Sequence, residues 1–294
     1  MKVAFNILVA AIVIGILWSA FSGIRREPDT QVAVSAYQRD WNGARSLKCC
    51  KNYFARPISV AHDPGKDVLY VANVVDETTA GGYVCRTSIT GEVLDTLRID
   101  GITSLGGVTV LDNYVYIADG KRLLKYSIDL DSVSRVYEMP YVQHLGAVSH
   151  DKKGNVYVSD SHKNSIYRIE NDSIKLFCQD SLCSNINGMC ISGTTLMAGA
   201  GNLILRIDSL GRAWKYTKLK FSVFGICSDE AGNFLVSDFV GNVYAVSQAG
   251  QQLLVKKHAS SNAAGIEYIP DQKMLFVPTY NTNSLEIFEV GNYL

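Results

Sequence analysis

An internal repeat of about 40 residues constrains the fold of this 294-residue chain more than any other feature. Six segments each begin with a short apolar strand, and they are anchored at Ser59, Gly106, Gly146, Gly188, Gly225 and Gly265, which are 47, 40, 42, 37 and 40 residues apart. In each segment a polar turn leads into a second strand, and further short strands follow. Repeats of this length that are built from short strands are typical of β-propellers. The sequence therefore predicts an all-β, six-bladed β-propeller whose blades are four-stranded antiparallel sheets.

Glycine recurs at the anchor positions, where the first strand of each segment begins. The innermost strands of a propeller converge on the central axis, so little room is left there for a side chain. We interpret these glycines as a sign of that crowding.

The last repeat ends early. Only four residues follow the strand at residues 284–290, so the sixth blade lacks its fourth strand. Strand-like stretches occur within residues 30–55, before the first repeat. A strand from this region would pair the two ends of the chain and remove an exposed sheet edge. We therefore divide the chain into residues 1–24, a linker and ring-closing strand in residues 25–55, and the propeller in residues 56–294.

The N-terminal residues 3–24 form one hydrophobic segment without any charge, preceded by Lys2 and followed by two arginines. A segment of this length can span the hydrocarbon layer of a membrane, which is roughly 30 Å thick. Residues 20–22 (Ala-Phe-Ser) also approximate the cleavage site of a signal peptide. We expect the protein either to be exported, to a periplasmic or extracellular location, or to be anchored in a membrane by this segment. The propeller itself is not expected to contact the membrane.

Lys plus Arg equals Asp plus Glu, 28 against 28, so no global charge attracts the protein to nucleic acid. The seven cysteines lack the paired spacing with histidine that is typical of zinc sites. Cys190 and Cys227 lie in apolar strands and are interpreted as core residues. Cys178 and Cys183 flank a short loop, which would permit a disulfide if the domain is exported. We expect no nucleic-acid partner.

One repeat resembles a known repeat family. Residues 146–169 read GAVSHDKKGNVYVSDSHKNSIYRI and resemble an NHL repeat unit, and residues 56–290 resemble the wider group of NHL and gluconolactonase/senescence-marker-protein propellers. The resemblance implies a six-bladed propeller. It does not choose between lactonases, binding modules and scaffolds, because the fold serves all three.

For a lactonase, the resemblance implies a divalent cation, usually calcium, at the axis. In that family the ligands are a Glu at the start of the first blade and Asn or Asp residues at the starts of later blades, and such oxygen ligands suit calcium. In this chain the residues before the anchors are Ile58, Leu105, Leu145, Asn187, Phe224 and Ala264. Asn187 alone fits, so we predict no metal and no cofactor, with calcium possible only for a lactonase.

A second column of residues ends the second strands: Asn73, Asp119, Asp160, Ala200, Asp238 and Thr279. We interpret its carboxylates as acceptors for the N–H groups of their own turns rather than as metal ligands. His144 is expected near the mouth of the axis, and His162 follows Asp160 in the adjacent turn. A histidine beside a carboxylate can act as a general base. No activated nucleophile accompanies them in the sequence. We therefore interpret both as loop histidines and predict no catalytic residue.

The inter-blade segments and the loops after the second strands share one face of the disc, because in an antiparallel blade the first strand starts at the edge where the second ends. On this face the candidate ligand-binding residues are Asn187, His144, Gln143, Asn185, Arg56, Phe224 and Asn262. The long loop at residues 74–83 is either a partial lid or a plain surface loop. Asn187 is interpreted first as a turn amide and otherwise as a ligand contact.

This mixture of charge, amides and aromatic rings suits a partner protein or a small polar ligand. The preferred hypothesis is a non-catalytic propeller, exported or tethered to a membrane, that binds such a partner on this face. The alternative is a divergent metal-dependent hydrolase of the lactonase or esterase type.

Overall fold

A computed structural model of the chain describes residues 44–51, 53–75, 81–248, 250–256 and 262–291. The predicted hydrophobic segment at residues 3–24, the strand-like stretch within residues 30–43 and residues 76–80 of the long loop lie outside these ranges. Across the described residues, no helix combines the length and the apolar character that a membrane crossing requires.

The described chain forms six four-stranded antiparallel sheets. The first strand of the described residues is β1 (Ala44–Lys51). The first blade contains β2 (Pro57–Asp63), β3 (Val68–Val74), β4 (Gly82–Ser88) and β5 (Val93–Thr96). The second contains β6 (Leu105–Leu111), β7 (Tyr114–Asp119), β8 (Arg122–Ser127) and β9 (Ser132–Glu138). The third contains β10 (Val148–His150), β11 (Val156–Asp160), β12 (Ser165–Glu170) and β13 (Ser173–Gln179), and a single 3₁₀ turn (Ser181–Cys183) follows it.

The fourth blade contains β14 (Ile186–Ser192), β15 (Thr195–Ala200), β16 (Leu203–Ile207) and β17 (Ala213–Lys218). The fifth contains β18 (Val223–Ser228), β19 (Phe234–Asp238), β20 (Val243–Val246) and β21 (Gln251–Val255). The sixth contains β22 (Glu267–Ile269), β23 (Met274–Thr279) and β24 (Ser284–Val290), and β1 is its fourth strand. The predicted six-bladed propeller is therefore confirmed.

Pairing of the two ends of the described chain closes the ring. β1 lies antiparallel to β24, from Ala44 opposite Val290 to Lys51 opposite Ser284. On the inner side of this closing strand, Cys50 is buried in an apolar cluster that also contains Ile287. The predicted ring-closing strand is confirmed, and no edge of β24 remains open to another chain.

The core consists of apolar layers between neighbouring blades. Tyr70, Tyr126 and Phe276 are among the largest side chains that are almost completely buried. One cluster joins strands of the first and second blades, and another joins the fifth and sixth. Burial of each large apolar side chain stabilises the fold by about 1.5–3 kcal/mol, so packing between the blades holds the ring together.

The innermost strands approach one another as closely as the glycines predicted. A Cβ atom added to Gly188 would lie 2.8 Å from the carbonyl oxygen of Phe224, and one added to Gly225 would lie 2.7 Å from the backbone nitrogen of Ile266. Hydrogen bonds even join inner strands of different blades, since the N–H of Gly265 donates to the carbonyl of Ile58 at 3.0 Å. The crowding around the axis is confirmed.

Candidate functional site

The inter-blade segments and the turns after the second strands are hydrogen-bonded to one another, as expected for one shared face. In the second blade, the N–H of Gly120 donates to the carbonyl of Ser104 at 2.8 Å. In the sixth blade, the N–H of Tyr280 donates to the carbonyl of Asn262 at 3.0 Å. We call this side of the disc the channel face.

A β-bulge opens each innermost strand at the channel face. Pro57 lies opposite Asn73 and Ser59 opposite Ala72, so Ile58 is an extra residue. The same shift makes Asn187 the extra residue in β14. A bulge turns the extra side chain away from the pleat of its strand, and bulges often occur beside functional sites for that reason.

The remaining four blades repeat the bulge. At the start of β6 and of β18, the strand register shifts by one residue. Before β22, the bulge follows from a bridge between Ala263 and Thr279. Before β10, it follows from the hydrogen bonds of residues 146 and 147 to Ser159. The six extra residues, which we call the bulge ring, are Ile58, Gly106, Gly146, Asn187, Phe224 and Ala264.

This ring corrects the sequence alignment in two blades. In the sequence alignment, Leu105 and Leu145 are the residues before the anchors of the second and third blades. In the structure each of these two anchors lies one residue later, so the residues before them are Gly106 and Gly146. Leu105 and Leu145 are instead buried in apolar clusters.

Aromatic side chains continue from the bulge ring across the channel face. The ring of Phe224 stacks on that of Phe239, with centroids 4.8 Å apart and planes 29° apart. The Phe239 centroid is 6.2 Å from that of Tyr280, and the guanidinium of Arg56 lies 5.9 Å from the Tyr280 centroid. All four side chains are half-buried. We call Phe224, Phe239 and Tyr280 the aromatic series.

Asn262 is hydrogen-bonded to the loop that carries Phe239. Its side chain is buried, its Nδ2 donates to the carbonyl of Phe239 at 2.8 Å, and its Oδ1 accepts from the amide of Asn281. Both ends of the amide are therefore bonded within the protein. Asn262 was predicted to face a ligand, whereas the structure shows it positioning the loop of Phe239.

Asn187 is exposed beside the aromatic series. Its Nδ2 donates to the carbonyl of Val223 in the next blade over a long distance of 3.5 Å. The interpretation as an amide that caps its own turn is therefore wrong, because the contact crosses to another blade. Asn185 precedes it in a left-handed conformation (φ 57°) and is also exposed.

His144 forms a different cluster on the same face. Its Nε2 lies 2.9 Å from the hydroxyl oxygen of Ser104, and burial lowers the pKa of the imidazole, with a smaller contribution from His162. The neighbouring Gln143 is exposed, and its N–H donates to the carboxylate of Asp160 at 2.8 Å. His144 lies in a loop, as predicted, and it is half-buried there. Ser104, which contacts it, carried no signal in the sequence as a partner.

The prediction that these carboxylates accept from the N–H groups of their own turns holds for Asp238 but not for Asp119, whose backbone donors lie in the preceding inter-blade segment. Asp119 is fully buried and accepts hydrogen bonds from both N–H groups of residues 103 and 104 and from Arg122. These bonds, opposed by burial, hold its pKa below the ordinary value. Asp238 accepts from the N–H groups of Gly241 and Asn242 in its own turn.

The bulge ring does not fit a calcium ion. Its oxygen-bearing side chain is the neutral amide of Asn187, and its other members carry hydrocarbon side chains or none. A hard cation needs several oxygen ligands. Within the described residues, no group of three or more His, Cys, Asp or Glu side chains is arranged to hold a metal.

A carboxylic acid lies deeper along the innermost strands. Glu267 in β22 occupies the level of Cys190 in β14 and Cys227 in β18, as the strand registers show. Burial raises the pKa of Glu267 to about 8, although the N–H groups of Tyr268 and His62 donate to it. No local pattern marks this group, because Glu267 resembles an ordinary polar residue of an alternating strand.

A cavity of about 300 Å³ lies between the first two blades. It is lined by Arg98, Ile99, Asp100, Arg122, Leu124, Val133 and Val136. It contains none of the seven predicted binding residues.

The structure thus separates those seven residues into two groups. Asn187, Asn185, Phe224, Arg56 and Asn262 gather along the fourth, fifth, sixth and first blades. His144 and Gln143 lie together between the second and third blades. Phe239 was missed, because its place beside Phe224 depends on a contact that no local pattern records.

No protein-family model matches the chain, and no curated protein matches it. Solved structures of the same fold do. One is a structure of virginiamycin B lyase from Staphylococcus aureus with quinupristin, in a variant described as catalytically inactive in which a histidine is replaced by alanine. It has a TM-score of 0.62 at 14% identity, covering 84% of this chain and 99% of that one. A streptogramin B lyase structure has a TM-score of 0.61 at 10% identity, covering 86% of this chain and 100% of that one. At these identities the likeness shows the fold alone.

Proposed function

We propose that this propeller is a binding module that holds, without transforming it, a small polar ligand that carries a flat ring. The ring would stack on the aromatic series, and polar groups of the ligand would reach Asn187 and Arg56. The observation that carries the proposal is the series itself, in which Phe224 of β18, Phe239 after β19 and Tyr280 after β23 come together and remain half-buried.

The physical reasons concern both the rings and their surroundings. Stacked aromatic pairs gain about 0.5–1.5 kcal/mol beyond the burial of their area, so a ligand ring added to the series would be held by the same force. The exposed amide of Asn187 gives a hydrogen-bonding partner at one end and the Arg56 guanidinium gives a cation at the other. Sites of this type combine apolar walls with a few polar groups that fix the orientation of the ligand.

Saturation-transfer NMR tests the proposal with a panel of aryl glycosides, aromatic dipeptides and sugars that lack an aryl group. We expect Phe239→Ala to weaken binding of the best ring-bearing compound roughly five- to tenfold, since about 1.4 kcal/mol corresponds to a tenfold change. Tyr141→Ala is the matched control, because Tyr141 is an exposed aromatic residue in another inter-blade segment of the channel face. Equal losses in both variants, or none in Phe239→Ala, would contradict the proposal.

A second candidate function is a hydrolase, and the contact between Ser104 and His144 favours it. A serine hydroxyl beside a neutral histidine is the pairing from which a nucleophile and general base are built. This candidate ranks second because the N–H groups of residues 103 and 104 already donate to Asp119 and so are not available to an oxyanion. Labelling by a fluorophosphonate that is lost in Ser104→Ala, with turnover of aryl esters or lactones that is lost in His144→Gln, would establish it.

We further propose that the domain functions outside the cytoplasm or tethered to a membrane, on the basis of residues 3–24. Mass spectrometry of the mature N-terminus, together with cell fractionation, separates cleavage near Ser22 from a retained anchor. Full-length protein in the soluble cytosolic fraction would contradict both.

A further inference from the structure

Two buried thiols face each other where the third blade passes into the fourth. The sulfur atoms of Cys178, near the end of β13, and Cys183, in the 3₁₀ turn, lie 3.5 Å apart. Asp180 fixes this arrangement, because its side chain accepts from the N–H of Leu182 at 2.8 Å and its carbonyl accepts from the N–H of Cys183 at 2.9 Å. The turn thus carries Cys183 back onto the strand that holds Cys178.

Other buried thiols of the described chain have different partners. The thiols of Cys50, Cys85 and Cys227 contact the backbone carbonyls of Thr90, Val71 and Leu235 respectively. Such contacts satisfy a thiol without bringing a second sulfur near it. Packing alone therefore does not require the approach of Cys178 to Cys183.

The contact between the two thiols also makes them chemically unequal. The contact with Cys183 lowers the pKa of the Cys178 thiol, whereas the same contact and burial raise the pKa of Cys183. The thiolate is the reactive form of cysteine, so Cys178 is the nucleophile and Cys183 the thiol that resolves the intermediate.

We propose that Cys178 and Cys183 form a redox-active dithiol, which a small peroxide converts into a disulfide that joins the 3₁₀ turn to the end of β13. The Cys178 thiolate attacks one oxygen of hydrogen peroxide, and the O–O bond breaks to give a sulfenic acid and hydroxide, which takes up the thiol proton to form water. Cys183 then attacks the sulfenic sulfur, the S–S bond forms, and a second water leaves. Peroxide accepts the two electrons that the thiols lose.

Burial decides which oxidant can act. Cys178 is 2% exposed and Cys183 is 0% exposed, so a bulky disulfide reagent would have to unfold the turn before reaching either sulfur. Hydrogen peroxide is about as small as water. The turn spans three residues, and a disulfide requires the sulfur atoms to approach from 3.5 Å to about 2.05 Å, which a shift within this short turn can supply.

The consequence falls on the segment that leads to the candidate site. Asn185 and Asn187 follow the 3₁₀ turn directly, and Ile186 packs in the same apolar cluster as both cysteines. A covalent link at residues 178 and 183 would restrict the opening of this segment. This inference does not depend on the proposed ligand.

Peptide mapping of the full chain tests the proposal. The protein is treated with hydrogen peroxide or with dithiothreitol, denatured, alkylated and digested. Trypsin releases residues 176–206 as one peptide with Cys178, Cys183 and Cys190, and a second protease that cleaves before Asp180 separates the first two cysteines. We expect the peroxide-treated peptide to carry one alkyl group, on Cys190, and to be lighter by two hydrogens than the same peptide with two free thiols. Its two fragments should stay joined until dithiothreitol is added.

Cys190→Ser is the matched control, because it changes a cysteine in the same peptide and should retain the link. Cys178→Ser should lose it. Thermal melting gives an independent readout, and peroxide should raise the Tm of the wild-type protein by a few degrees but not that of Cys178→Ser. Recovery of both cysteines in alkylated form after peroxide treatment, or a link that involves Cys190, would overturn the proposal.

Discussion

The hydroxyl oxygen of Ser104 lies 2.9 Å from Nε2 of His144, and the two residues come from inter-blade segments on opposite sides of the second blade. Burial lowers the pKa of this imidazole below its ordinary value. His144 should therefore be neutral at pH 7, with Ser104 as the hydrogen-bonding partner of Nε2.

A pH dependence of stability follows from the lowered pKa of His144. Below about pH 6.5 the unfolded chain binds a proton that the native imidazole resists, so the free energy of unfolding falls as the pH decreases through that range. His144→Gln should reduce this slope without abolishing it, because burial also lowers the pKa of His150. Urea denaturation at several pH values and NMR titration of the imidazole measure both effects. A native His144 that titrates at or above pH 6.5 would contradict the prediction.

Glu267 gives the opposite slope. Its native pKa is raised to about 8, whereas an unfolded glutamate titrates near 4.3, so between these values the unfolded state loses a proton that the native state keeps. Stability should therefore fall as the pH rises through this window. Glu267→Gln should match the wild type near pH 5 and exceed its Tm near pH 8.

The control for this comparison is Glu289→Gln. Glu289 is on the surface, where it pairs with Arg45, and exposed ion pairs contribute about 0–1 kcal/mol. Its substitution should leave the pH dependence of the Tm almost unchanged. If Glu267→Gln melted below the wild type at every pH, the carboxyl would be stabilising the fold in its charged form.

Closure of the ring predicts a sharp boundary for truncation. Deleting residues 1–29 should leave a soluble folded propeller, because β1 and its pairing with β24 are retained. Deleting residues 1–55 removes β1, exposes the edge of β24 and uncovers Ile287, so the protein should aggregate. Size-exclusion chromatography and thermal melting compare the two. Equal melting temperatures would show that β1 does not stabilise the ring.

The features that the sequence predicts are those that repeat along the chain. Blade number, ring closure and the structural use of Asp238 all follow from local patterns that recur about every 40 residues. The start of β6 shows where such patterns fail. Gly106 and Gly107 are adjacent, and Gly106 is identified as the extra residue because the N–H of Gly107 donates to the carbonyl of Gly146, as that of Gly265 donates to Ile58.

The candidate site depends on contacts between blades, which local patterns do not contain. Phe224 lies at the start of β18 and Phe239 in the turn after β19 of the fifth blade, and Tyr280 lies in the turn after β23 of the sixth. Their rings meet because the bulge aims Phe224 across the face. The position of the half-buried Glu267 likewise depends on how neighbouring strands approach the axis.

Asn187 gives the most direct test of the channel face. Its side chain is exposed, and its bond to the Val223 carbonyl is at the outer limit of hydrogen-bond length. Asn187→Ala should therefore change the free energy of unfolding by less than about 0.5 kcal/mol, as surface substitutions usually do. Binding of the ring-bearing compound found by NMR should weaken severalfold, because the amide is the polar group beside Phe224.

Asn202→Ala is the matched control. Asn202 is an exposed asparagine of the same blade, and its backbone contact with Leu219 survives the substitution. A loss of 1–2 kcal/mol in Asn187→Ala with unchanged binding, as expected for a buried hydrogen bond of about that strength, would make Asn187 a structural residue and exclude it from the site.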